Sequence, residues 1–249
     1  MPPASESRPV ALITGAAKRV GAAIARSLHA AGYDLALHYR RSRDEMQALC
    51  AELEGARAGS TLAIAADLAD VDGLPRIVET CTARFGRLDA LVNNASAFFP
   101  TPIGTISAQQ WDDLFASNAR APLFLAQAAA PALRAAHGSI VNLIDIYAER
   151  PMPRHPVYSM AKAALAMLTL ALAKELAPEV RVNAVAPGAV LWPESGKPAA
   201  DQAELIARTP LQRAGSPQDV ATAVLFLVRD ATFTTGQTLR VDGGRSLAL

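Results

Sequence analysis

Only two cysteines occur in the 249 residues, Cys50 and Cys81, and both fall in segments with helical patterning. That scarcity argues against a disulfide framework and points to a reducing, cytoplasmic setting. Four histidines (His29, His38, His137, His155) are scattered without metal-ligand spacing, so no metal site is expected. Neither sign of charge is in excess: 24 Lys plus Arg against 23 Asp plus Glu give a formal net charge of +1. Such a balance supports neither a nucleic-acid nor a membrane-surface partner, and leaves room for a local basic pocket. Apolar runs such as Ala163 to Ala173, flanked by Lys162 and Lys174, are too short to cross a bilayer. Residues 1–9 are polar and proline-bearing and read as a loose tail, not a signal peptide. No internal repeat or low-complexity linker divides the rest.

What remains is a chain 51% hydrophobic and 19% charged, with enough apolar material for a large core. Short apolar runs alternate with longer helical patterns. Strands are expected at Val10–Thr14, Asp34–Tyr39, Thr61–Ala66, Leu88–Asn93, Ser139–Ile144, Val180–Val185 and Thr238–Val241. Helices are expected to Ala31, then over Ser42–Leu53, Val71–Phe85, Ser107–Leu133, Val157–Leu176 and Pro217–Val228. Continuous apolar strands separated by helices imply an α/β fold: a Rossmann-type, doubly wound parallel sheet with helices on both faces. Residues 10–249 then form a single domain.

Ligands of such sheets sit beyond the carboxyl ends of the strands. The first strand runs into Thr14-Gly15-Ala16-Ala17-Lys18-Arg19-Val20-Gly21. Gly15 suits a tight turn, Gly21 close packing of the helix, and the backbone at Arg19 and Val20 the approach of a pyrophosphate. A site that prefers NAD usually ends its second strand in an acid. Here the end reads His38-Tyr39-Arg40-Arg41-Ser42. Arg40 and Ser42, beside Tyr39, suit a 2′-phosphate, so NADPH is the expected cofactor. Asp67, after the third strand, is placed for the adenine edge. Asn93-Asn94-Ala95 closes the fourth strand, where Asn93 and Ala95 suit backbone contact with the cofactor or a turn cap.

Tyr158 and Lys162 stand four apart, hence on one helical face. A lysine ammonium beside a phenol is expected to lower the phenol pKa and make a proton donor. Asp145 ends the fifth strand. Asn118, an amide within the apolar run Phe115 to Ala130, needs a partner: a proton path toward Lys162, or a kink in its helix.

Together these residues resemble the short-chain dehydrogenase/reductase family. The resemblance rests on Gly15 and Gly21, Asn93 to Ala95, Asn118, Tyr158 with Lys162, and Pro187-Gly188, and covers about Val10 to Gly244. It implies a nicotinamide between the strand-four loop and the Pro187-Gly188 turn, with Lys162 on the nicotinamide ribose. Most members carry serine where this chain has Asp145, and an ionised carboxylate cannot donate to a substrate carbonyl. That departure is similar to the pteridine reductase branch. So are Thr14 to Gly21, His38 to Ser42, Asn93-Asn-Ala-Ser-Ala-Phe98 and Pro187-Gly-Ala-Val-Leu-Trp192.

The branch implies a catalytic set of Asp145, Tyr158, Lys162 and Asn118. It also implies a pterin or folate substrate held by Arg19, Ser96, Phe98, Asp145, Tyr158 and Trp192, with Phe98 stacking on its ring. Hydride would go from NADPH to a C=N bond, and 191–213 would form a substrate flap. A homotetramer follows from the same resemblance. Two other readings stay open: a carbonyl or 3-oxoacyl reductase, and a non-catalytic NADPH-binding protein.

Overall fold

The β-branched and leucine-rich runs form strands β1 (Val10–Ile13), β2 (Asp34–Tyr39), β3 (Thr61–Ala65), β4 (Ala90–Asn93), β5 (Ser139–Leu143), β6 (Arg181–Pro187) and β7 (Thr238–Val241) in a computed structural model that describes residues 8–191, 196 and 198–248. All six neighbouring pairs are parallel, in the order β3-β2-β1-β4-β5-β6-β7. The connecting helices are α1 (Arg19–Ala30), α2 (Arg43–Ala56), α3 (Leu74–Phe85), α4 (Ala108–Phe115), α5 (Ala121–Ala135), α6 (Pro156–Glu175), α7 (Ala199–Ala207) and α8 (Pro217–Leu225). This is the expected Rossmann-type architecture.

Strand periodicity builds two cores. In β1, Ala11 and Ile13 face one side and join Ile24 and Leu28 of α1 and Val220 and Val224 of α8. Val10 and Leu12 face the other, against Ile77 and Cys81 of α3 and Leu125 and Leu133 of α5. Both faces of the sheet are therefore covered, which is why its strands read as continuous apolar runs. Cys81 is buried here and its thiol is pushed up to about 12 by burial. Both cysteines are free.

The long helix expected over Ser107–Leu133 is not uniform. Ser107 opens it with a capping box, its Oγ accepting from Gln110 N–H at 3.2 Å while Gln110 Oε1 accepts from Ser107 N–H at 3.0 Å. After α4, residues Ala116–Arg120 form a π-helical turn in which Ala121 N–H reaches back to Ala116 O. Pro122 follows. Having no N–H, it cannot serve the carbonyl of Asn118 in an α-helical register. The turn's wider register thus falls on the one polar residue expected to work inside this helix.

Helix α6 corrects another expectation. Its 20 residues are long and apolar enough to cross a bilayer, because the helix runs past both flanking lysines. Its buried face is spent inside the protein, on Val157, Tyr158, Lys162, Leu165 and Thr169. Between β6 and α8, the expected flap contains α7, which buries none of its residues. The strand order reverses between β1 and β4, and the crevice beyond their carboxyl ends is where the chemistry-bearing residues gather.

Candidate active site

The glycine turn after β1 is shaped by contact with the end of β4. Gly15 has φ of 63°, and a Cβ there would stand 2.9 Å from Ala95 Cα. A Cβ at Gly21 would fall 2.7 Å from Asn94 Nδ2. Only glycine lets these backbones approach. Arg19, between them, holds φ of 54° with a full side chain, in the region where the Rossmann fingerprint would place glycine. Asn94 fastens the turn: its Nδ2 donates to Thr14 O and Gly15 O, both at 2.9 Å. Thr14 Oγ1 in return accepts from the N–H of Asn94 and Ala95 at 2.9 and 3.0 Å.

Beside this turn lies a cavity of about 820 Å³, within the size of a small-molecule site. Gly15, Arg19, Val20 and Gly21 line it, with Arg40, Asp67, Ala95, Ser96 and Phe98. Lys18, His38, Arg41, Asn94 and Ser117 line it too, and were not in the candidate set. Three of them have a signal in the sequence: a second arginine beside Arg40, a lysine beside Arg19, a second asparagine beside Asn93. Arg40 stands 4.0 Å from Asp67 across the cavity, and Lys18 pairs with Glu45 at 2.7 Å. A backbone cradle in a cavity lined by Lys18, Arg19, Arg40 and Arg41 fits a dinucleotide phosphate chain.

Six expected cofactor residues, Tyr39, Ser42, Asn93, Lys162, Pro187 and Gly188, are not among those that line this cavity. Asn93 is buried, and its Nδ2 donates to Asn142 Oδ1 at 2.8 Å. Asn142 passes the chain on to Thr169 at 3.0 Å. Strand alternation turns Asn93 to the core side and leaves Asn94 at the cavity. Tyr39 packs half-buried on the core, and Ser42 occupies the N-cap of α2 without a side-chain capping bond; neither lines the cavity. Pro187 and Gly188 close β6, where Gly188 N–H donates to Val241 O at 3.0 Å.

The chemical end lies where β5 meets α6. Tyr158 Oη donates to Asp145 Oδ2 at 2.8 Å. Asp145 Oδ1 accepts from Tyr147 N–H at 3.0 Å, which fixes the carboxylate. Lys162 is only 2% exposed, and its Nζ donates to Leu143 O at 2.8 Å. The surroundings of the phenol favour a shift opposite to the one expected of Lys162. Burial and then the adjacent Asp145 charge hold the phenol well above its ordinary pKa, while Lys162 Nζ stands 5.7 Å from the ring centroid. Lost water and a nearby negative group both disfavour the phenolate. Burial lowers Lys162 to about 8, with Asp145 opposing. Burial raises Asp145, against the Tyr147 and Tyr158 hydrogen bonds and the Lys162 charge.

Asn118 sits in the π-helical turn and clamps the strand-four loop. Its Nδ2 donates to Ala97 O at 2.8 Å and Leu114 O at 2.9 Å, and its Oδ1 accepts from Ser96 Oγ at 2.8 Å. Ser117 Oγ accepts from Ala97 N–H at 3.1 Å. The side chain therefore points to the loop and not toward Lys162. Phe98 is 45% exposed, stacked on His155 at 4.8 Å and edge-on to Tyr158 at 4.9 Å. Nothing in the sequence marks His155 as the stacking partner of Phe98, 57 residues away. Trp192 lies outside the described residues.

Residues 15–246 match the family described as Enoyl-(Acyl carrier protein) reductase. Pteridine reductase 1 of Leishmania tarentolae is 39% identical, over 98% of this chain and 98% of its own. A ketoacyl reductase-named protein of the granaticin polyketide synthase of Streptomyces violaceoruber is 38% identical over 96% of each. A 3-oxoacyl-(acyl-carrier-protein) reductase of Staphylococcus aureus is 34% identical over 94% of this chain and 96% of its own. Family match, parallel seven-stranded sheet and a Tyr–Lys pair on one helix lead to one conclusion: the chain belongs to the short-chain dehydrogenase/reductase family of oxidoreductases, which use a nicotinamide cofactor.

Proposed function

We propose that the protein is an NADPH-dependent pteridine reductase acting on a C=N bond of a pterin or dihydrofolate. The observation that carries this reading is Asp145, bonded to Tyr158 at 2.8 Å in the place where relatives reducing ketones need a hydroxyl donor. Three further features support it. Phe98 offers an exposed aromatic face beside Tyr158, suited to a flat heterocycle. Arg19 and Ser96 share its cavity and match a ring carbonyl and ring nitrogens. The Leishmania relative bears the corresponding name.

NADPH, when bound, supplies the hydride. The protein then has to place one proton on the adjacent nitrogen, converting C=N to CH–NH. Tyr158 is the donor in reach, and its raised pKa means that it does not readily remain a phenolate. Asp145, whose pKa burial raises, is suited to carry a proton and pass it to Tyr158 Oη as Tyr158 gives its own away. The relay leaves a neutral tyrosine and an ionised aspartate, which solvent reprotonates. Lys162, charged below about pH 8, holds the nicotinamide ribose and opposes the charge left on Asp145. Asn118 keeps Ser96 in place. Lys18, Arg40 and Arg41 favour the 2′-phosphate of NADPH over the bare ribose of NADH. Helix α7, between β6 and α8, is suited to cover the substrate. Exposed Met160, Met167 and Leu170 on α6 offer an apolar face for the homotetramer.

The test is NADPH oxidation by purified protein with dihydrobiopterin, dihydrofolate and their oxidised forms, set against ketones and a 3-oxoacyl thioester. Turnover of a pterin at least tenfold faster than any ketone is expected, since Asp145 is committed to Tyr158 and offers a ketone oxygen no second hydroxyl donor. No turnover with the pterin panel rejects the reading. The 3-oxoacyl alternative has the Staphylococcus relative in its favour; faster ketone turnover, retained in Asp145→Ser, would establish it.

A further inference from the structure

His38 is buried at the end of β2, 2% exposed, and the reaction above makes no use of it. Its ring joins three separate pieces of the cofactor crevice. Nδ1 lies 3.2 Å from the Gly15 amide nitrogen, in the turn after β1. Nε2 lies 3.1 Å from the Ala66 carbonyl, at the end of β3. The backbone adds a third tie, with Ala16 N–H donating to His38 O at 2.9 Å. An amide N–H can only donate and a carbonyl can only accept. Both contacts are satisfied at once only by the neutral ring with its proton on Nε2.

We propose that His38 is a positioning residue for the nucleotide cofactor: its neutral ring holds the Gly15 amide, and with it the glycine turn, in the shape that receives the phosphates. The Gly15 amide is thereby committed to the imidazole, so the amide that sets the turn's shape is not one that meets the ligand. The remaining amides at the start of α1 are left for the phosphates. A proton on Nδ1 would set two donors against each other across 3.2 Å, and the turn would have to open.

Burial opposes that proton, Arg40 opposes it further, and the Ala66 carbonyl and Asp67 favour it. Lys18 and Arg19, cations of the glycine turn, and Arg41 line the same cavity. The ring is thus neutral at ordinary pH and titrates below the usual histidine range. The sign follows: cofactor affinity is full above that range and falls as the ring takes its proton. This inference rests on the family's use of a nicotinamide cofactor and is independent of which substrate is reduced.

The experiment is a fluorescence titration of NADPH binding to wild type, His38→Asn and His38→Leu between about pH 8 and pH 4, a span that extends below the usual histidine range. Asparagine can place its amide oxygen near the position of Nδ1 and accept from Gly15, but it does not titrate. At the upper end, His38→Leu should weaken binding by about tenfold or more, the effect of leaving a buried N–H without a partner, and His38→Asn should restore most of it. On acidification the wild-type Kd should rise more steeply than that of His38→Asn. Ionisation of the ligand's own phosphate is common to both and cancels. Wild-type affinity in folded His38→Leu overturns the proposal, as do parallel pH profiles for wild type and His38→Asn. If His38→Leu does not fold, as read by circular dichroism, the two pH profiles decide alone.

Discussion

The two ends of the crevice are built by different means. At the cofactor end the shape is a backbone shape: Gly15 and Gly21 admit close contact, and Thr14, His38 and Asn94 tie the turn to β2, β3 and β4. At the substrate end the parts are side chains: Asp145 against Tyr158, Phe98 against His155, and beyond them α7 with nothing buried. A backbone cradle recognises a phosphate by amide direction and is indifferent to the group attached further along. A side-chain surface can be changed one residue at a time. By that contrast, changes at the substrate end can alter the group that is reduced while the glycine turn stays as it is.

The largest effect should come from the substrate end. Tyr158→Phe should lower turnover by about 100-fold or more, the scale of a lost general acid. Single-turnover kinetics with saturating NADPH would measure it, and near-normal turnover would remove Tyr158 as the donor. At the cofactor end, replacing Arg40 and Arg41 together by Asp should cost roughly 10- to 100-fold in NADPH affinity, as charge-assisted phosphate contacts are lost. NADH affinity should change far less. Equal losses for both cofactors would mean that the pair supports the fold of the loop and not the 2′-phosphate.

The ammonium of Lys162 lies behind Tyr158, and its pKa, lowered to about 8, predicts an alkaline limit. Above that value the free enzyme loses the charge, so kcat/KM should fall about tenfold per pH unit. A profile flat to about pH 10, the ordinary range of a lysine, would show that the charge is held or not needed. The smallest effect should be that of Phe98→Ala. Loss of one aromatic contact should raise the pterin KM by about 2- to 10-fold, with little change in kcat. A fall in kcat alone would instead assign Phe98 to holding Tyr158, through their edge contact at 4.9 Å.

Much of this was legible before any coordinates. Strand and helix alternation determined the parallel sheet, because strands buried on both faces must be apolar throughout. Fixed spacing brought out Gly15 with Gly21 and Tyr158 with Lys162, since each pair lies within one local element whose geometry repeats. The residue at the end of each strand could be placed near the crevice for the same reason.

Three things needed the tertiary structure. Which asparagine of the 93–94 pair meets the cavity depended on the side to which the strand's last residue turned. The π-helical turn at Asn118 arose where Pro122 withheld an amide and the strand-four loop offered Ala97 and Ser96 as partners. The proton affinity of Tyr158 was set by burial and by Asp145, thirteen residues earlier in the chain, although its helical neighbour Lys162 suggested the opposite sign. Spacing along one helix determines which residues share a face. Charge and hydrogen bonding act through space, so the sign of their effect on Tyr158 was decided only when β5 and α6 packed together.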